Sequence, residues 1–547
     1  MNTFLIITAY GELFLWIAAF LLFFLHRGNS FAESASYAII CTLMTLSFVF
    51  QVMFILDVPS ASFFLEAILS IGAVAGILTL RMHIKRIWEI LKFVAVKQPL
   101  AILALFAAFG YLAFLAGLSA PETASKDLFT KIRLFEKHET FFLPTDGGEN
   151  YALFPVNITV LSHLFLRADS QVGIGLFGFL AYLSIGFSTY ALSRRYAWPA
   201  TAFTVTFITL SLPRLVFLST TPGEEIIPAA VSLFCILAIY RSLEHPDIQD
   251  LILLILGILF SISGNFLCLA FPAILLVLSC VLFIRRHGTV TWTSLLVRHW
   301  KISLAALIPI LVFSQIWLFE FNIFKYGGWL GNSAQLSNVP LKGNVLLGAL
   351  ANLVRYFFEI IHLTGPMDML FNWVLGFSFN ELLMKTYNFF FAPLFGTSGA
   401  AVPFVFTFMT NGRLSWFGPF GFLFVIPSII MAIFRGHRRL KAISVALAGY
   451  VYIIALVVAW RPGNAQFFTI VFTCGGFCVS FLLPPWRFTT TGKKCLQVIS
   501  ILLLIYVCLF NVDKPLLKLP ELSGSISCIH NPDPNRLPDL LPLPPII

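Results

Sequence analysis

The sequence predicts an all-α integral membrane protein that crosses the bilayer many times. Hydrophobic residues make up 59% of the 547 residues and charged residues only 11%, whereas soluble domains carry about 25% charged residues. A helix needs about 20 apolar residues to cross the hydrocarbon core, and apolar runs of that length recur along the whole chain. By that length rule we expect about thirteen or more transmembrane helices. The mean hydropathy of +0.91 agrees with lipid as the main solvent.

Three predicted helices open the chain, at about 4–25, 36–57 and 61–81. The first lacks a basic segment before it and a small-residue cleavage site after it, so we expect it to be retained rather than removed as a signal peptide. The basic stretch 81–97, with five Lys or Arg residues, follows these helices. Because Lys and Arg concentrate in cytoplasmic loops, the N-terminus is expected to be extracytoplasmic.

The net charge of +10 indicates orientation in a membrane rather than nucleic-acid binding, because the basic residues cluster in short stretches between apolar runs. The stretches expected in the cytoplasm are 81–97, 193–196, 285–288, 298–301, 435–441 and 487–494. The predicted spans between them alternate consistently with that placement. Neither a phosphate-binding loop nor a dinucleotide-binding fingerprint follows a predicted strand. We expect a multi-pass protein of a bacterial inner membrane with no nucleic-acid partner.

The opposite, extracytoplasmic side is expected to carry one large loop, 119–171. Six carboxylates lie in its first part, and most of them are explained as groups that keep the loop hydrated. Asp127 stands out because it begins a predicted helix, "SKDLFTKIRLFEK", where a carboxylate is favoured by the helix dipole and could also act as a base. The shorter intervals 220–225 and 460–466 fall on the same side.

Three segments need a specific prediction. The stretch 151–170 is apolar but short and interrupted by polar residues, which favours an amphipathic helix lying in the membrane interface. The segment 249–284 is too long for one crossing and is expected to break at 263–265 into a hairpin. The topology of the region 346–412 is left open; the placement of the neighbouring loops requires only that it crosses the membrane an even number of times.

The predicted elements divide the chain into three parts. These are an N-terminal three-helix extension with its basic loop (1–98), a transmembrane core (99–486), and a last helix with a Pro-rich tail (487–547).

The order of these features resembles the GT-C glycosyltransferases, which take a sugar from a polyprenyl-phosphate donor, such as the dolichyl-phosphate-mannose protein mannosyltransferase and aminoarabinose transferase types. A large loop follows a core helix, an acid lies near the start of the loop, and the Pro-containing stretch "YALFPVNITVLSHLFLR" (151–167) comes next. An Arg-rich turn, a Pro late in a helix and an acid at the start of the following helix lie within 188–244. The stretch "AWRPGNAQFFTIVF" (459–472) resembles the family's late loop, and the resemblance runs in order through 99–486.

The resemblance implies a polyprenyl-phosphate sugar donor, an extracytoplasmic active face and site residues. Asp127 corresponds to the acid of the first loop, which activates or orients the acceptor, and Glu225, or Glu224 beside it, corresponds to the second acid. The donor phosphate would lie near Arg214 or Arg461. Transfer from a lipid phosphate needs a carboxylate to activate the acceptor and positive charge to stabilise the departing phosphate.

Other residues are candidates for substrate binding. Lys325 and Tyr326, in "FKYGGWLGN", could stack on a sugar or headgroup, or could anchor the chain at the interface. Gln466 stands where the late loop of the family carries an Arg. No cofactor is predicted, although a divalent cation is an option for stabilising the phosphate; no metal-ligand spacing of His residues is present. Membrane lipids are the other expected partner, and no protein partner is predicted.

Departures from the family pattern keep other functions open. Lys131 and Ile132 stand where close family members carry a Tyr-His pair, and Phe266 stands where they carry a Lys in the hairpin turn. These positions favour the alternative of a catalytically degenerate GT-C-like scaffold or lipid-binding subunit. For Arg214 the alternative to a lipid-phosphate site is a structural ion pair with Glu224 or Glu225. A transporter or flippase is the third alternative, and it would need paired broken helices with charges at the midplane.

Overall fold

A computed structural model describes most of the chain: residues 2–97, 99–117, 131–142, 155–168, 170, 172–262, 270–329, 341, 344–363, 365–404, 416–462, 464–483 and 489–509. About 82% of the structure is helical, and the described residues form no strand. Their one isolated bridge is parallel and joins Ala400 to Trp460. The all-α class is confirmed.

The first half of the described chain runs in this order: α1 Asn2–His26, α2 Phe31–Ile55, α3 Ser62–Thr79, α4 Met82–Lys97, α5 Pro99–Gly117, α6 131–138, α7 His163–Leu166, α8 Gly175–Ser193, α9 Pro199–Leu210, α10 Pro213–Leu218, α11 Ile226–Glu244, α12 Ile248–Phe260 and α13 Ala270–His287. The second half runs in this order: α14 Thr289–Arg298, α15 Trp300–Phe313, α16 Ile316–Tyr326, α17 Val345–Ile361, α18 Gly365–Leu375, α19 Phe379–Phe390, α20 Ala392–Phe395, α21 Gly418–Phe420, α22 Ile426–Arg435, α23 Arg438–Val457, α24 Thr469–Gly475, α25 Val479–Leu482 and α26 Thr490–Leu509.

Ten helical segments of the described chain are long and apolar enough to cross a membrane. They identify a multi-pass membrane protein. Three shorter apolar helices accompany them, Pro199–Leu210, Ile248–Phe260 and Gln466–Leu482. The expected count of thirteen or more transmembrane helices, and a GT-C-type core, stay predictions.

Four of the basic stretches that were expected in the cytoplasm, 81–97, 193–196, 285–288 and 435–441, meet at one end of the helix bundle, which we call the basic end. Contacts between elements far apart in sequence show this: Arg195 pairs with Glu33 and Glu244, and Arg439 reaches the same Glu244. His287 lies 3.2 Å from the Ser242 carbonyl oxygen. The connection between α1 and α2 also lies at this end. Arg27 of that connection pairs with Asp247, and His26, the last residue of α1, lies 3.2 Å from His83 of the 81–97 stretch.

Helix α26 runs from the basic end to the opposite end, which we call the distal end. Near its start, Gln497 donates a hydrogen bond of 3.0 Å to Thr204 of α9, five residues after α9 begins beside the basic 193–196 stretch. Near its finish, Tyr506 packs edge-on against Trp416. Residues 489–494, the described part of the 487–494 stretch, therefore lie at the basic end as well. These contacts place described parts of five of the six basic stretches at one end of the bundle. The alternation of the spans across a membrane, and the side that this end faces, stay predictions.

Helix α2 is largely buried among other helices. Small polar residues allow close contact with α8: the Ser36 hydroxyl lies 3.1 Å from that of Ser184 and 2.6 Å from that of Ser188. Thus a helix of the predicted N-terminal extension packs directly on the predicted core. The domain division itself stays a prediction.

The predicted amphipathic interfacial helix over 151–170 is wrong for its described part. Residues 155–166 are buried and form only a short 3-10 turn and α7. The reason is Asn157, fully buried, whose amide donates to the carbonyl oxygens of Leu259, Ile262 and Phe313. Those carbonyls lie where α12 and α15 end, and helix ends leave carbonyls without intrahelical partners. The polar side chain thus serves buried helix ends instead of facing solvent.

Residues 345–404 begin with a helix, α17, that lies against the distal end of α23. Asn352 of α17 donates to the carbonyl oxygens of Ala455 and Val458. Arg355 is fully buried and donates to four acceptors, among them Tyr387 Oη at 3.1 Å and Ser398 O at 2.7 Å. The polar face of α17 is therefore buried rather than exposed. The helices α18 and α19 have 11 and 12 residues, too short to cross at about 20 residues a span. The even number of crossings over 346–412 stays a prediction, because part of that region lies outside the described residues.

Candidate functional site

The distal-end loop 219–225, "STTPGEE", carries the two adjacent acids that the sequence singled out. Glycines of α8 let this loop lie directly on the helix: a Cβ at Gly178 would come 2.5 Å from the Thr221 carbonyl oxygen, and one at Gly175 would come 2.8 Å from that of Thr220. Gly223 adopts a positive φ of 96°, a conformation that residues with a Cβ rarely adopt. The loop is therefore fixed by backbone contact, and it holds Glu224 and Glu225 at the start of α11.

Glu225 forms an ion pair with Arg214 of α10. The two side chains differ in exposure: Arg214 is 3% exposed and Glu225 is 36% exposed. Burying a charge is costly unless it is paired, so Glu225 serves as the counter-ion that allows Arg214 to lie inside the bundle. The expectation of a structural pair between Arg214 and one of the two acids is thereby confirmed for Glu225.

Glu224 faces the opposite way, towards the first large loop. Its carboxylate lies 3.5 Å from the hydroxyl of Thr159, which is buried. It also interacts electrostatically with Lys131, the first described residue of α6. Burial lowers the pKa of Lys131 to about 8, and the negative charge of Glu224 opposes that shift. The adjacent acids thus connect two different parts of the chain, one through Arg214 and one through Lys131.

Two further polar contacts tie the first loop to the bundle. His163 Nδ1 lies 2.7 Å from Glu136 Oε1, and the His163 ring packs edge-on against Phe50 and Phe54 of α2. Arg167 makes a bidentate contact with Glu66 of α3, with both N–O distances 2.7 Å. These contacts hold the described parts of the loop, 131–142 and 155–168, against α2 and α3.

The remaining predicted site residues lie in three other places: outside the described residues, in the α23–α24 connection, and in α16. Asp127 lies outside the described residues. Arg461 is exposed in the α23–α24 connection, and its carbonyl accepts from Asn464 N at 3.1 Å. Gln466 is half-buried in the same connection, and its carbonyl accepts from Thr469. Lys325 lies 5.1 Å from the ring centre of Phe321 in its own helix, α16, and Tyr326 ends that helix.

The structure thus brings together Arg214 and Glu225, and Glu224 and Lys131. Lys131 and Thr159 were missed as site residues. In the sequence Lys131 stands out only as a departure from the family pattern. Its electrostatic interaction with Glu224 spans 93 positions, so no local pattern could reveal it. The one available hint was that Lys131 lies in the same predicted helix as the loop acid Asp127.

The arrangement offers two carboxylates and two cations at the distal end. A carboxylate there can accept a proton from a hydroxyl or amine, and a cation can stabilise an anionic oxygen. Among the described residues, no group of three or more His, Cys, Asp or Glu side chains lies close enough together to hold a metal ion. Comparisons of the chain with protein-family models, with curated proteins and with solved structures found no match.

Proposed function

We propose that the protein is a GT-C-type membrane glycosyltransferase, which moves a sugar from a polyprenyl-phosphate donor to an acceptor on the extracytoplasmic face. One observation carries the proposal. The loop acids Glu224 and Glu225 lie between the first large loop and a buried arginine, so carboxylates and cations meet at the distal end of an apolar bundle. A lipid-linked phosphate could approach such a place from between the helices, with its charge at the membrane surface.

In the proposed reaction the bond between the sugar C1 and the phosphate oxygen breaks, and a bond forms between C1 and the acceptor. Asp127 takes the acceptor proton, as a positioned carboxylate does in general base catalysis. It stands four residues before Lys131 in the sequence, which is about one turn of the predicted helix. Lys131 and Arg214 stabilise the phosphate that leaves. Arg461 and Gln466 in the late loop, and Lys325 with Tyr326, remain further proposed donor contacts.

The second candidate is a catalytically degenerate relative that binds lipid or serves as a scaffold. A specific observation favours it: Arg214 already has Glu225 as its counter-ion, and Lys131 already interacts with Glu224. Phe266 and Gln466 also replace cations of the family that the chain resembles. Such a protein would bind polyprenyl phosphate without transferring sugar.

The transporter alternative has one feature in its favour. The apolar segment Trp300–Lys325 is interrupted between α15 and α16, where Gln315 adopts a left-handed conformation. However, Gln315 donates hydrogen bonds to Gln51 and Asn157 at 2.6 and 2.8 Å. These buried amides satisfy one another and the helix ends, so the break is explained as packing and we do not favour transport.

A transfer assay separates the first two candidates. The purified full-length chain, reconstituted in liposomes, is given radiolabelled polyprenyl-phosphate sugars with a membrane extract as the acceptor source. Loss of the base in Asp127→Asn should lower the transfer rate about 100-fold, since a general base typically contributes about that factor or more. Asp57→Asn is the matched control, because Asp57 is an exposed acid with a positive φ of 58° and Asn tolerates that conformation. If wild type binds the lipid and transfers no label, the scaffold candidate replaces the transferase.

A pH series tests the part assigned to Lys131. Its ammonium charge is lost as the pH rises through about 8, so affinity for polyprenyl phosphate should fall over that range. Lys131→Arg should move the fall to higher pH, because arginine stays charged. Affinity that is flat from pH 7 to 9 in both proteins would remove Lys131 from the phosphate site.

A further inference from the structure

A cavity of about 310 Å³ opens at the basic end, on the opposite end of the bundle from the acids discussed above. It lies where α8 and α11 end and α23 begins. Its lining residues are Arg195, Tyr196, Tyr240, Glu244, His437, Arg438 and Arg439. Its volume is at the lower end of the range for ligand pockets, about 300 to 1,000 Å³, which suits a small polar group rather than a large molecule.

The lining carries excess positive charge. Three arginines face one carboxylate, Glu244, which accepts from Arg195 at 3.1 Å and lies 3.5 Å from Arg439. Arg195 is further fixed by Glu33 at 2.8 Å. Arg438 is exposed. The cavity therefore has a rigid wall of partnered arginine and an accessible arginine at its opening.

The sequence at the start of α23 is unfavourable for the helix alone. His437, Arg438, Arg439 and Lys441 crowd its beginning, although the positive end of a helix dipole disfavours cations. Basic residues orient a span from anywhere in the 435–441 stretch, so orientation alone does not explain why they lie at the start of the helix. An anion in the cavity would instead relieve repulsion between these cations and also favour the helix N-terminus.

Aromatic residues place this cavity at the level of a membrane surface. Trp198, two residues after Tyr196, is 70% exposed, and Phe434, three residues before His437, is 76% exposed. Trp and Tyr side chains are enriched at the membrane–water interface, and two tyrosines, Tyr196 and Tyr240, line the cavity itself. The ring of Tyr196 stacks on that of His437, with centroids 6.1 Å apart, so the cavity wall is continuous with these surface groups.

We propose that this cavity binds the phosphate headgroup of an anionic phospholipid in the adjacent leaflet. Arg438 and Arg439 contact the phosphate oxygens, while Arg195 supplies the fixed positive wall. Anionic lipids are bound in this way by basic pockets between helices on the cytoplasmic side of membrane proteins. The exposed aromatics favour a lipid over a soluble phosphate, since the acyl chains would lie along them.

The test measures lipid retention by native mass spectrometry of the purified full-length protein. The probe is phosphatidylglycerol with phosphatidylcholine as the neutral lipid, and inorganic phosphate is added separately as the soluble anion. We expect phosphatidylglycerol to be retained at least tenfold over phosphatidylcholine. Arg438→Gln should reduce that preference at least fivefold, and the double variant R438Q/R439Q should abolish it.

Arg435→Gln is the matched control, because it removes the same charge from the same basic stretch but lies outside the cavity lining. It should keep the wild-type preference. Equal losses in Arg435→Gln and Arg438→Gln would overturn the proposal in favour of diffuse surface charge. Displacement of the lipid by millimolar inorganic phosphate would also overturn it, since the site would then be one for soluble anions. Arg438 is exposed and forms no ion pair with any described residue, so its replacement tests binding even if the double variant fails to fold.

Discussion

The two ends of the bundle use charge in opposite ways. At the basic end, carboxylates are shared: Glu33 serves both Arg195 and Arg241, and Glu244 serves both Arg195 and Arg439. At the distal end, Arg214 has Glu225 as its ion-pair partner, while the neighbouring acid turns towards Lys131. A shared network fixes several helix ends at once, whereas the distal interactions each join two elements, α10 with the loop 219–225 and that loop with α6. The comparison indicates that the shared carboxylates hold helix ends together at the basic end, where they also fix one wall of the cavity, whereas the distal end is suited to chemistry.

The largest effect is expected at the shared network. Glu33→Ala leaves Arg195 and Arg241 without their common carboxylate and also removes a capping box at the start of α2. Breaking a buried ion pair costs about 3–5 kcal/mol, so the free energy of unfolding in detergent should fall by about 4 kcal/mol. Glu381→Ala, which removes an exposed pair with Lys385, is the control and should cost under about 0.5 kcal/mol. Equal effects of the two variants would mean that the network does not hold the helix ends together.

A smaller effect is expected at the distal pair. Glu225→Gln removes the ion pair between buried Arg214 and Glu225 and should cost about 3 kcal/mol, the lower end of the range for buried pairs because Glu225 is 36% exposed. Arg214→Met should cost less, since the remaining carboxylate can be hydrated. Denaturant titration of both variants measures the difference. The asymmetry would be refuted by an Arg214→Met variant that is the less stable of the two.

The smallest effect is expected where the loop 219–225 packs on α8, and it concerns packing rather than charge. Gly178→Ala puts a methyl group 2.5 Å from the Thr221 carbonyl oxygen, and overpacking of this kind costs about 1–3 kcal/mol. Gly449→Ala in α23 is the matched control, because a Cβ there has no neighbour within 4 Å, and Ala is a better helix former than Gly. Gly178→Ala should also reduce polyprenyl-phosphate binding, whereas Gly449→Ala should leave it unchanged. If both variants bind like wild type, the loop position does not determine the site.

Much of the architecture could be predicted from the sequence, since hydropathy and Lys/Arg clustering report directly on the solvent that each segment faces. The predicted break at 263–265 lies outside the described residues, between α12 and α13. The break around Gln315 was missed because its flanks are continuously apolar. The pair of Arg214 with a loop acid was predictable from two helix ends only eleven residues apart. The burial of 155–166 was not, because it depends on Asn157 meeting helix ends more than 100 residues away. Long-range polar contacts of this kind leave no local period in a sequence.

The central claim is that the two ends bind different anionic lipids. Native mass spectrometry of one set of proteins tests it directly, with undecaprenyl phosphate and phosphatidylglycerol as the two probes. We predict a crossed result. Lys131→Met should lose undecaprenyl phosphate and retain phosphatidylglycerol, and Arg438→Gln should do the reverse. If each variant loses both lipids equally, or neither lipid, the division between a reactive distal end and a lipid-binding basic end is contradicted.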